Sequence, residues 1–86
     1  MDLDDLIIRY FGSADLDSLD GDALADGVER IRIALGTEAD AGRRFALWAL
    51  LHGLGDAPDP ADVFKDPAER RAAEDYARAA DRMARG

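Results

Sequence analysis

Residues 37 to 55 read Thr-Glu-Ala-Asp-Ala-Gly-Arg-Arg-Phe-Ala-Leu-Trp-Ala-Leu-Leu-His-Gly-Leu-Gly, and their reading decides the fold. The stretch holds the only Trp and the only His of the chain, and no charged residue occurs from Phe45 to Leu54. Thr37 and Asp40 approximate a capping box, with Asp where Glu or Gln is usual, so the spacing predicts a helix starting there. Within it Phe45, Trp48 and His52 share one face with Ala41 and Ala49, while Leu47, Leu50, Leu51 and Leu54 cover the other side. A helix that is apolar nearly all round is one that several neighbours bury. The remaining segments are therefore expected to be those neighbours.

Upstream, Leu24, Val28, Ile31 and Leu35 are spaced four, three and four apart, which predicts a helix ending at Gly36. Its start is set only loosely, between Asp20 and Asp26, because Gly27 weakens a helix by up to about 1 kcal/mol relative to alanine. Ile33 projects from the opposite side of this helix. Before it, residues 13 to 22 are Ser-Ala-Asp-Leu-Asp-Ser-Leu-Asp-Gly-Asp, side chains that bond their own backbone, which predicts a loop or one helical turn around Leu16 and Leu19. Leu3, Leu6, Ile7, Tyr10 and Phe11 recur at helical spacing ahead of Gly12, so a first helix is expected over about residues 2 to 11, with Asp2, Asp4 and Asp5 favoured by its dipole.

Downstream, Asp56-Ala57-Pro58-Asp59-Pro60 is the clearest break. Asp59 before Pro60 reads as an N-cap with proline at the first helical position, launching a short turn through Val63 and Phe64. Asp66, Pro67 and Glu69 repeat that chemistry and start a last helix to about Arg85. Its wheel groups Ala72, Ala73, Tyr76, Ala80 and Met83 on one face and Arg71, Arg78, Arg82 and Arg85 on the other. Arg70 with Glu74, Arg71 with Asp75, and Asp81 with Arg85 stand at the spacing of intrahelical ion pairs. The expected architecture is all-α, a compact single domain over residues 1 to 86, with four main helices, one short helical turn and the third helix central.

Composition narrows the function. Nineteen acidic against eleven basic residues give a formal charge of −8. All of the excess lies in residues 1 to 40, which carry eleven acidic and three basic groups; residues 41 to 86 carry eight of each. A nucleic-acid partner demands a cationic surface, so that class is excluded, and an anionic membrane surface would repel the chain. The absence of cysteine removes thiol chemistry, disulfides and thiolate metal sites. An acidic opening unlike the basic start of a secretory signal, together with apolar runs of half the roughly 20 residues a span needs, points to a soluble cytoplasmic protein.

Chemistry-bearing residues are few. His52 has no second His or Cys to complete a ligand set and stands one turn after Trp48, so it reads as a packing histidine bonded through one ring nitrogen. Ser18 as the first position of a twelve-residue calcium loop would put Asp20, Asp22, Asp26 and Glu29 at four ligand positions. Ser18 where Asp is expected, and Ala23 where the turn needs glycine, speak against that loop. Two serines, one threonine and two tyrosines form no nucleophile motif, Gly53 and Gly55 form no phosphate loop, and no cofactor is implied. A concave active-site pocket is not expected from so small a core. By exclusion the chain reads as a non-catalytic acidic helical module for protein–protein interaction or regulation, with Ile8, Ile33, Arg71, Arg78, Arg82 and Arg85 as contact candidates. The partner is another protein, a homo-oligomer included. Two alternatives are an acidic inhibitor or antitoxin-like protein occupying a cationic site, and a weak calcium-binding module at Asp20–Glu29.

Overall fold

The computed structural model describes residues 3–13 and 15–85, the side chains of Leu3 and Arg85 excepted; the expectation for Asp2 lies outside them. Five helices follow one another: α1 (Leu3–Phe11), α2 (Gly21–Thr37), α3 (Ala41–Gly53), the single turn α4 (Pro60–Val63) and α5 (Pro67–Arg85), with a 3-10 turn at Leu16–Ser18 between α1 and α2. There is no strand among the described residues. The bundle is all-α with four main helices and one short one, as the sequence leads one to expect.

Short polar side chains set the helix starts. Asp20 accepts from the backbone N–H of Ala23 at 2.7 Å, Asp40 from that of Arg43 at 2.9 Å, Asp59 from that of Ala61 at 2.9 Å and Asp66 from that of Glu69 at 3.1 Å. Each carboxylate satisfies one of the N–H groups that a first helical turn leaves unpaired. The predicted capping box of Thr37 and Asp40 is not formed. Asp40 is itself the N-cap of α3, and Thr37 closes α2 instead, its hydroxyl donating back to the Ile33 and Ala34 carbonyls. Helix α2 thus runs through Gly36 rather than stopping there, and three residues turn the corner into α3. The Arg44 guanidinium pins that corner, donating to the Glu38 carbonyl at 2.7 and 3.2 Å. Two helices end on glycine at positive φ, Gly12 (74°) after α1 and Gly55 (78°) just past α3, a conformation that costs glycine nothing.

The core gathers on α3. Leu47, Trp48, Leu50 and Leu51 are buried, facing Leu6 of α1, Ile31 and Leu35 of α2, Phe64 beyond α4 and Ala73 of α5. Trp48 is 1% exposed, and its indole N–H donates to the Pro58 carbonyl at 2.9 Å, tying the loop after α3 back onto the helix. Burying one such large apolar side chain contributes on the order of 1.5–3 kcal/mol. Helix α1 rests on α2 through Phe11, whose ring lies where a Cβ at Gly27 would stand only 2.2 Å from Cε1. Gly27 is therefore a contact point between two helices rather than merely a weak place in one.

Helix α5 differs from its wheel reading. The row it buries is Ala73 with half-buried Ala77 and Ala80, whereas Ala72 and Met83 are exposed. At about 100° per residue Met83 is rotated 60° beyond Ala80 and away from Ala73, which puts it outside the contact with α3. The expected pairs of Arg70 with Glu74 and Arg71 with Asp75 are not formed, and that of Asp81 with Arg85 falls on a side chain outside the described residues. Arg70 donates to the Phe64 and Lys65 carbonyls, Asp75 pairs with Arg78, and Asp81 faces His52.

Candidate interaction surface

The outward side of α2 carries Asp22, Asp26, Glu29 and Ile33, spaced four, three and four apart and so confined to one row about 60° wide. The helix lies this way because Ile31, Leu35 and Gly27 are taken by the core and by Phe11, and Ile33 falls nearly opposite them. Ile33 is 61% exposed. Asp26 is 3.1 Å from Arg30 one turn on, in an exposed pair, and Asp22 and Glu29 are exposed as well. On α1, Ile8 is 49% exposed, one turn after Asp4 and Asp5, because Leu6, Ile7, Tyr10 and Phe11 occupy the side packed on α2. Both isoleucines singled out in the sequence thus reach solvent, each beside carboxylates, on separate helices.

The same four acidic positions do not make the calcium loop. Asp20 is spent as the N-cap of α2, and Asp22, Asp26 and Glu29 are carried along regular helix, where a twelve-residue loop would have to fold them round one point. No group of three His or carboxylate side chains converges on a metal position among the described residues.

The basic candidates lie on α5. Arg71, Arg78 and Arg82 are exposed, and Arg78 is held by Asp75; the side chain of Arg85 lies outside the described residues. His52, at the end of α3, is 22% exposed through its side chain, stacks on Trp48 with centroids 5.4 Å apart, and brings Nε2 to 3.3 Å from Asp81 Oδ1. Asp81 was not foreseen as its partner; position alone could not show it, since the two residues are 29 apart and meet only when α5 folds onto α3. The hydroxyls of Ser13 and Ser18 are engaged in the loop around Asp15, and that of Thr37 at the end of α2.

Contrary to the expectation from size, the surface does hold concave ground. A cleft of about 930 Å³ opens between the end of α2 and the α4–α5 segment, lined by Arg32, Leu35, Arg44, Val63, Lys65 and Glu69 among others. Asp62 and Val63 of the single turn α4 form part of its wall. Two of its cations are already engaged, Arg44 with the Glu38 carbonyl and Arg32 with Asp56 at 2.5 Å. A second groove of about 420 Å³ lies beside Trp48 and His52.

No family model, curated protein or solved structure matches this chain. Among the described residues no helix is long and apolar enough to cross a membrane.

Proposed function

We propose that this protein is a non-catalytic interaction module that offers the acidic outer row of α2, with Ile33 as its apolar contact, to a cationic protein partner. The observation that carries the reading is the placement of Ile33, 61% exposed at the end of a row of three carboxylates and turned away from its own core. Single exposed apolar residues are ordinary on surfaces; this one has a charged setting that selects the sign of what approaches it. The chemistry of the rest agrees. No charged or polar side chain is buried among the described residues, and the reading gives the His52–Asp81 pair no catalytic task.

A narrower form of the reading is an acidic inhibitor or antitoxin-like protein, in which the carboxylate row fills a cationic groove of its target. The lack of cysteine and the acidic surface suit the cytoplasm, where we place the protein. The test is affinity capture from native cell extract with wild-type protein and Ile33→Arg in parallel. A partner held by the wild type, lost with Ile33→Arg and released by salt supports the module. A partner held equally by both and indifferent to salt excludes this face.

A further inference from the structure

Helix α5 carries on its outer side a row that repeats the spacing of the acidic row of α2: Arg71, Asp75, Arg78 and Arg82, again four, three and four apart. Beside it runs a second row with the same spacing, Ala72, Tyr76, Ala79 and Met83. Met83 is 82% exposed and Ala72 is exposed, while Tyr76 sits at the rim with its ring edge-on to Phe45 at 5.7 Å. Asp75 is neutralised by Arg78, and among the described residues Arg71 and Arg82 have no ion-pair partner. The outer side of α5 is thus the complement of the outer side of α2: cations beside an apolar methionine against carboxylates beside an apolar isoleucine. Their lengths also match, since 17 and 19 residues at about 1.5 Å each give about 25 and 28 Å.

We infer that α5 of one molecule docks on the acidic face of α2 of a second copy of this chain. One contact, with the two rows parallel and in register, then covers both Ile33 and Met83 and sets Arg71 by Asp22 and Arg78 by Glu29, with Arg82 one turn past Glu29. The small side chains Ala72 and Ala79 let the two helices approach closely. The contact joins two different surfaces, so it is head-to-tail and can pass from one molecule to the next beyond a pair. Each copy carries a formal charge of −8, which opposes association at long range; salt near 0.1 M, with a screening length of about 10 Å, mutes that repulsion while leaving charge pairs in contact. The inference rests on the interaction-module reading for its use of the α2 face, and it gives that face a second occupant, a copy of this chain whose α5 row is locally cationic although the whole chain is acidic.

Sedimentation velocity of the purified protein, from about 10 μM to about 1 mM in about 0.1 M salt, reads the association directly. The wild type is expected to shift from monomer toward dimer and larger species with concentration and to return to monomer in about 1 M salt. Arg71→Glu/Arg82→Glu and Asp22→Arg/Glu29→Arg are each expected to stay monomeric alone and to associate when mixed, because each restores the charge the other lost; circular dichroism melts confirm that both are folded. Should either pair fail to fold, Met83→Glu, at a site open to solvent, is expected to weaken wild-type association instead. A wild type monomeric at every concentration, a reversed variant that associates as the wild type does, or a mixture that stays monomeric overturns the inference. A monomeric wild type that still retains a cationic partner overturns this inference alone, and a dimer that retains none overturns the external-partner reading alone.

Discussion

Replacing Trp48 by alanine tests the organisation of the bundle most severely. The side chain is 1% exposed, and its ring lies within 6.4 Å, centroid to centroid, of Phe45, His52, Phe64 and Tyr76, which come from α3, the end of α4 and α5. Truncating a buried Trp or Phe to alanine costs about 3–5 kcal/mol through lost burial and the cavity left behind. The indole N–H to Pro58 carbonyl bond, 2.9 Å long, contributes roughly 0.5–1.5 kcal/mol of its own. Trp48→Phe separates the two, keeping most of the ring volume and losing the donor, and should cost about 1–2 kcal/mol. At roughly 0.05–0.15 kcal/mol per residue a chain of 86 residues has a stability of about 4–13 kcal/mol, so the alanine change removes a large share of it. Urea unfolding followed by far-ultraviolet circular dichroism measures both, since fluorescence is lost with the only Trp. A Trp48→Ala cost below about 1 kcal/mol, or equal costs for the two variants, would refute the claim that α3 is the centre of the core.

Three further outcomes follow from the same packing. Gly27→Ala should destabilise by about 1–3 kcal/mol in chemical unfolding, because the new Cβ meets the Phe11 ring at 2.2 Å and the gain in helix propensity of about 1 kcal/mol is smaller than the strain; a stabilised variant would mean that Phe11 leaves α2 freely. Asp40→Ala should lower stability by about 1 kcal/mol by unpairing the Arg43 N–H, whereas Thr37→Ala should cost less, and thermal melts of the two decide whether Asp40 alone caps α3. Ile33→Arg should change stability by no more than about 0.5 kcal/mol, since its side chain serves no contact within the bundle core; a larger loss would make Ile33 a structural residue.

The helices were legible because each keeps an unbroken apolar row, and the aspartates ahead of α3, α4 and α5 mark the true starts. Two local details differ from what the spacing predicts, each for its own reason. Thr37 and Asp40 have the spacing of a capping box, yet the chain turns between them, so that each serves a different helix. Met83 belongs to an apolar row on the α5 wheel, but alanines on the adjacent row approach α3 more closely and take the contact. Contacts between segments distant in sequence, Phe11 on Gly27, Trp48 with Pro58, and His52 with Asp81, leave no periodic trace and appear only when the helices pack. The two exposed isoleucines were visible as residues off the main rows, because burial follows the row and they do not.

The proposed function stands or falls on whether the α2 face attracts a cationic partner. The direct measurement is calorimetric titration of the captured partner into this protein at about 0.05 M and about 0.5 M salt, for the wild type and for Asp22→Arg/Glu29→Arg. Affinity that falls at least about tenfold with salt in the wild type, and is already weak in the reversed variant, is the predicted result. Affinity unchanged by salt and by the reversal would contradict it.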